Sequence, residues 1–396
     1  MPERLPVLIV GAGPVGLVAA VALAREGVPV TVLEAEPALG QELRASTFHA
    51  PTLDLLDGLG AAAPLVAQGL VARTVQYRSH AEGVFAAFDF ALLADLTRHP
   101  YRLQAEQWRL TRILADLLRD QAGVNLRLGA AVVGCTDHGD AVEVVVADGE
   151  RLRGSYAIGA DGAHSAVRRA AGIAFAGFTW PERFLVLSTG FDFAEAIPGL
   201  APVSYFAEPE GWFFLLQVPG LWRAMVPVPA EVADATTLTD GYARACLGRI
   251  VPGREDCPVR HRTLYRVHQR VAETFRQGRV LLAGDAAHIN NPLGGMGLNG
   301  GVHDACNLAA KLAAVWRGEA DASLLDRYDR QRRGVTVEYV QRATIANKQG
   351  LEAREPGARA TFRARLTEAA SSPERARAWL LGASMIASLR RAEEIE

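Results

Sequence analysis

Two glycine-rich stretches carry the residue pattern most able to do chemistry in this chain. Gly11, Gly13 and Gly16 in GAGPVG spell G-x-G-x-x-G, and Gly295, Gly297 and Gly300 in GGMGLNG spell it again far downstream. In such a pattern the first glycine makes a tight turn and the second lets bare backbone approach a pyrophosphate. The third lets a helix close on a strand, and the helix N-terminus adds partial positive charge. A carboxylate ending the next strand then accepts from ribose hydroxyls, and Glu34 stands there, followed by Ala35. A carboxylate is poor company for a 2′-phosphate, so the first motif reads as a site for the ADP half of FAD or NAD rather than of NADP.

The elements around each motif decide between them. Val7–Val10 is a short apolar run suited to a buried parallel strand, residues 14–26 are an Ala/Leu/Val-rich helix opened by Pro14 and Val15, and 28–33 returns as a strand. That is the βαβ context the first motif needs. Before the second motif the strand pattern RVLLA ends near Gly284, and no strand follows its helix, although Glu319 sits at a suitable distance. A second nucleotide fold is therefore not expected there. The density of Gly294, Gly295, Gly297, Gly300 and Gly301 at a helix start suits a planar polar ligand laid against bare backbone.

Further along, residues 106–121 have helical period, 125–158 read as an antiparallel meander ending in GADG, and 174–270 concentrate aromatic and β-branched residues between Pro/Gly turns. From Leu298 a long amphipathic helix is expected, and helices continue beyond Asp321. The fold class expected is α/β, a Rossmann-like dinucleotide-binding domain with an inserted, mostly antiparallel β-sheet substrate domain and C-terminal helices. The discontinuous first domain takes residues 1–72, 96–173 and 271–349. The sheet domain takes 73–95 and 174–270, and 350–396 form a helical segment.

The 396 residues, 49% of them hydrophobic, suffice for two or three domains, and a formal charge of −2 with scattered Lys and Arg gives no footprint for nucleic acid. Cys135, Cys246, Cys257 and Cys306 lie far apart, without C-x-x-C or zinc spacing, so a reducing cytoplasm and no metal are expected. The apolar run at 4–24 is interrupted by motif glycines and a proline and reads as strand and helix rather than as a signal peptide, and no integral membrane segment is expected.

GAGPVG with Glu34, the GADG turn at 159–162, and RVLLAGDAAHINNPLGGMGLNGGVHDACNLAAKL together resemble the single-component FAD-dependent aromatic hydroxylases of the para-hydroxybenzoate hydroxylase type, over about residues 1–340. The resemblance implies an FAD-binding domain of the GR2 type and a single extended FAD. Asp285 would hold its ribitol or ribose region. Pro292 and the backbone of Gly297, Leu298 and Asn299 would lie against the flavin ring, and Arg44, Gln104 and Asp161 would contact the cofactor, with Arg168 in support. From the residues alone, Arg44 reads equally as a solvated surface arginine and Gln104 as a helix-capping residue. The resemblance also implies NADH or NADPH and O2 as co-substrates, with hydroxylation of a phenolic or heteroaromatic small molecule through a flavin C4a-hydroperoxide. The alternatives are an FAD monooxygenase of a non-aromatic or polycyclic biosynthetic intermediate, or a flavin-binding redox protein with little turnover. A W-x-W-x-I-P stretch, as in flavin halogenases, and a redox cysteine pair, as in flavin disulfide reductases, are absent from the sequence.

The substrate is expected between the antiparallel sheet and the flavin, with Tyr205, Trp212, Phe214 and Met225 as candidate wall residues and Arg223 or His268 as polar handles. Core packing is the competing role for each. No residue announces itself as the catalytic base. A compact member, monomer or homodimer, lacking the thioredoxin-like C-terminal domain of larger relatives, is expected, and the proline that many relatives place after an Arg in LLDRYDRQRRGVT is missing.

Overall fold

The computed structural model describes residues 4–41, 43 and 45–396. A six-stranded sheet runs in the order 276–277, 280–282, 156–159, 7–10, 30–33, 124–127, parallel except at its 276–277 edge. Val7–Val10 is buried at all positions, as a strand covered on both faces requires. The helix Pro14–Arg25 begins with Pro at its first turn, where the missing N–H costs nothing, and ends before Gly27 at φ +73°. The stretch 125–158 divides. Its middle, 132–154, is a three-stranded antiparallel meander, while Val124–Arg127 and Tyr156–Gly159 pair in parallel within the large sheet. The alternation expected across the whole stretch marks only that middle part.

An eight-stranded sheet contains the expected strands of 73–95 and 174–270, in the order 288–289, 259–272, 175–189, 221–228, 211–218, 203–208, 74–79, 83–89, all antiparallel except for the parallel pairing of 203–208 with 74–79. One face buries Leu185, Leu187, Phe213, Leu215, Ala224 and Val226 against the helix Asp240–Ile250. Toward one end of the other face, the C-terminal helices pack Leu351, Phe362, Leu366 and Leu380 against Tyr77, Phe88, Tyr205 and Trp212. There the fully buried Lys348 ammonium donates to Glu182 and Glu352 and lies 4.1 Å from the Trp180 ring centre.

The helix Met296–Arg317 packs along Pro14–Arg25, so the two glycine motifs meet. A Cβ on Gly301 would stand 2.5 Å from Val15 Cγ2, and one on Gly284 2.9 Å from the same atom. Behind this contact Asp304, fully buried, accepts from Gly284 N at 3.1 Å, His288 Nε2 at 2.8 Å and Arg332 Nε at 2.7 Å. Burial alone would raise the Asp304 carboxyl, but Arg332 and His288 together outweigh it and hold the group well below the ordinary carboxylate range. Its contribution to stability is therefore present above the ordinary carboxyl pKa and is lost only as the pH falls toward the depressed value. Asp304→Ala leaves the Arg332 guanidinium buried without its counter-charge and should cost about 3–5 kcal/mol. Urea denaturation at neutral pH checks this; a midpoint equal to that of the unmodified protein would refute the role.

Candidate active site

A cavity of about 1490 Å³ opens at the C-terminal ends of the parallel strands, lined by Val10, Leu33 and Ala160, and continues to the eight-stranded sheet. Ligands of open parallel sheets bind at such strand ends, and the volume exceeds that of a pocket for one drug-sized molecule. Gly11, Gly13, Pro14, Val15, Glu34, Ala35, Asp161, Asp285, Pro292, Gly297 and Leu298 all line it, as do Phe214, Arg223, Met225 and His268. Arg44 lies outside the described residues.

The glycines divide by what a side chain would meet. Gly11 has φ +103°, and a Cβ there would come within 2.4 Å of Ala160 O. Gly16, away from the cavity, would put a Cβ 2.0 Å from Gly11 O. Among the described residues outside its immediate surroundings, a Cβ on Gly13 would meet nothing within 4 Å, and one on Gly297 would meet Asn290 Oδ1 alone, at 3.6 Å. Gly11 and Gly16 are thus bare because protein packs on them, while Gly13 and Gly297 present bare backbone to the cavity. Gly294 and Gly295, at φ +105° and +67°, make the left-handed turn that starts the second helix. The Asn299 side chain secures that turn by donating to Gly295 O and Thr47 O and accepting from His49 N. Its amide is therefore fully occupied, and the helix start, which has no side-chain cap, lines the cavity with Met296, Gly297 and Leu298.

Carboxylates anchor the turns. Glu34 accepts from Ala12 N at 2.7 Å and from Glu36 N at 3.1 Å. Asp161 Oδ2 accepts from Ala166 N and Val167 N, while its buried Oδ1 has no partner. Arg168 donates to Ala163 O and Ala286 O, both at 2.8 Å, so one guanidinium ties the GADG turn to the GDAA turn, and burial lowers its pKa. Gln104 is buried behind the wall, accepts from Thr47 Oγ1 at 2.8 Å and leaves Nε2 without a partner. Asn290 Oδ1 is likewise unpartnered at the lining. Unsatisfied buried polar atoms are costly in a folded chain, and those of Asp161 and Asn290 belong to residues that line the cavity.

On the sheet side, Phe214, Met225, Val186 and Thr263 form one cross-strand row lining the cavity, with Leu216 and Arg223 paired in the next row. Two expected wall residues stand elsewhere. Tyr205 is buried in a parallel stack, its ring centre 5.1 Å from Tyr77 and 4.6 Å from Phe214, and its hydroxyl accepts from Gly294 N at 3.2 Å. Trp212 is buried where the C-terminal helices cover the sheet, donating from Nε1 to Glu352 Oε1 at 3.4 Å. Both were candidates because they are aromatic and on strands, and tertiary cover removed them from the lining. His268 lies 2.8 Å from Thr179 Oγ1, and burial, followed by Arg270, lowers its pKa, favouring neutral imidazole. Val186, Thr263, Tyr265, Ser46 and Asn290 were not anticipated; strand register, invisible in spacing, brings the first three to the wall, and Ser46 and Asn290 reach it from loops.

An FAD binding domain model matches residues 4–343. The chain is 34% identical over 384 residues to para-nitrophenol 4-monooxygenase of Pseudomonas sp. (strain WBC-3), covering 95% of this chain and 94% of that protein. The chain belongs to the single-component FAD-dependent aromatic hydroxylases. The solved structure of p-nitrophenol 4-monooxygenase PnpA from Pseudomonas putida DLL-E4 superposes on this hydroxylase with a TM-score of 0.90, at 32% identity and 99% coverage of both chains. A ternary complex of aklavinone-11 hydroxylase with FAD and aklavinone gives a TM-score of 0.78, at 30% identity, covering 89% of this chain and 70% of the other. The hydroxylase binds FAD and uses NAD(P)H and O2 as co-substrates. The open glycines, the helix-start N–H groups and the unpartnered atoms at the cavity fit such a dinucleotide.

Gly297→Val should leave the fold intact, since a Cβ there meets a single side-chain atom of the described residues, while shifting the visible spectrum of bound flavin and slowing turnover. Gly301→Val should instead lower the melting temperature, because Val15 already fills that space. Absorbance spectra and thermal denaturation of the two variants check the contrast; equal effects on both readouts would contradict it.

Proposed function

We propose that FAD lies extended through this cavity, its ADP half at Gly11, Gly13 and Glu34 and its flavin half at Asp285, Pro292, Gly297 and Leu298, and that a phenol-class substrate occupies the chamber beside the sheet. The observation that carries the reading is the juxtaposition, in one cavity, of two bare-backbone helix starts with an apolar row of Phe214, Met225 and Val186. Bound FAD supplies the redox chemistry, taking reducing equivalents from NAD(P)H and activating O2 so that one oxygen atom enters the aromatic ring.

The chain supplies position and field. Glu34, held by Ala12 N, presents a fixed acceptor for ribose hydroxyls. The start of Met296–Arg317, with the backbone of Gly297 and Leu298 at the cavity, provides partial positive charge for negative charge developing on a reduced ring. Phe214, stacked from behind on Tyr205, offers its other side as a rigid platform for a planar substrate. Val186, Leu216 and Met225 keep water from that side of the chamber. Asp161, Arg168 and the turn they brace stand at the flank where NAD(P)H would approach. A cytoplasmic location suits four free thiols.

FAD-loaded protein should oxidise NAD(P)H slowly alone and faster with a phenol, and labelled O2 should deliver one labelled atom to the product. Phe214→Ala should raise KM for the phenol by about tenfold, the loss of one stacking contact. Steady-state kinetics with product mass spectrometry decides; stimulation without labelled product would leave a redox role instead.

A further inference from the structure

Arg223 is the one buried arginine or lysine among the described residues lining the cavity. It sits one register row from Met225 and Phe214, paired across the strand with Leu216, and so flanks the apolar platform. A lone buried guanidinium beside a ring-binding floor would select anionic ring substituents, because it forms paired hydrogen bonds to carboxylates. Here its charge is already met. Nη2 donates to Glu106 Oε2 at 2.9 Å and Nη1 donates to Ser46 Oγ at 3.2 Å, with both members of the ion pair less than a tenth exposed. Glu106 immediately precedes the helix Gln107–Leu118 but makes no side-chain cap to it, and its Oε1 has no hydrogen-bond partner. Among the described residues, the hydrogen bonding of this carboxylate is directed at Arg223.

A substrate carboxylate entering this end would meet an arginine whose charge is compensated, and behind it the charge of Glu106 in a poorly hydrated wall. Like charges brought together in such surroundings are penalised strongly. A nitro, amide, hydroxyl or halogen substituent brings no net charge and avoids that penalty. Arg169, Arg262 and Arg266 also line the cavity, but all three keep solvent contact, where their fields are screened, and Arg262 is bonded to Asp240.

We propose that Glu106 is a specificity-determining residue: by neutralising Arg223 it makes the polar end of the chamber accept aromatic substrates with uncharged substituents and reject ring carboxylates. The inference rests on the placement of the substrate given above.

The test uses FAD-loaded enzyme and two probes of nearly equal shape, 4-hydroxybenzamide and 4-hydroxybenzoate, with kcat/KM for hydroxylated product as the readout. The unmodified enzyme should favour the amide by about tenfold or more. Glu106→Gln, which keeps size and removes the carboxylate charge beside Arg223, should shift the amide-to-acid ratio toward the acid by at least about tenfold. Glu106→Gln combined with Arg223→Gln, uncharged again, should restore preference for the amide, an outcome that generic loosening of the site would not produce. An unmodified enzyme that hydroxylates both probes equally, or an unchanged ratio in Glu106→Gln, overturns the proposal. The ratio in the unmodified enzyme decides alone where the variants fail to fold. If no phenol stimulates NAD(P)H oxidation in the unmodified enzyme, the functional reading fails with it, and that result is distinguishable from equal turnover of the two probes.

Discussion

The contact on which the rest of the molecule depends is the meeting of Val15 with the backbone of Gly284 and Gly301. Any side chain at either glycine would collide with a residue that follows the first glycine turn directly. Because both are bare, Pro14–Arg25 and Met296–Arg317 lie against each other, and two motifs separated by most of the chain open onto one cavity. Asp304 fixes this arrangement from behind by holding the Gly284 N–H, and Arg168 fixes it from the side by joining two turns. The cost of burying those charges is met by pairing and by backbone acceptors, as low-dielectric interiors require.

How much of this was legible in the sequence depended on whether a feature is local. The first motif was readable because strand, turn, helix, second strand and Glu34 occur within one short stretch. The second was readable only in part: its failed strand context argued against another nucleotide fold, but its place in the same cavity follows from helix packing that no spacing encodes. The two ends of 125–158 look like meander strands because short apolar runs have the same composition in parallel and antiparallel sheets. Tyr205 and Trp212 carry the right chemistry for a pocket wall on the right strands, yet Tyr77 and the C-terminal helices reach them first. The Arg223–Glu106 pair spans 117 positions and has no motif at all.

The Tyr205 hydroxyl accepts from Gly294 N and so joins the aromatic stack of the sheet to the turn that starts the second glycine helix. The platform at Phe214 and the backbone expected beneath the flavin are therefore set relative to each other by a hydrogen bond as well as by the general packing. A residue displaced from the wall acts as a brace between its two sides.

Strand alternation in the eight-stranded sheet has a consequence for the history of the pocket. Phe213 and Leu215 face the helix-covered core while Phe214 and Leu216 face the cavity, and Ala224 and Val226 alternate with Arg223 and Met225 in the same way. Mutations on one face can therefore retune what the enzyme accepts while the other face keeps the protein folded. Such a division lets a lineage explore new compounds by single steps on the cavity face while the helix-covered face keeps its packing, which is the kind of freedom a scaffold needs to diversify.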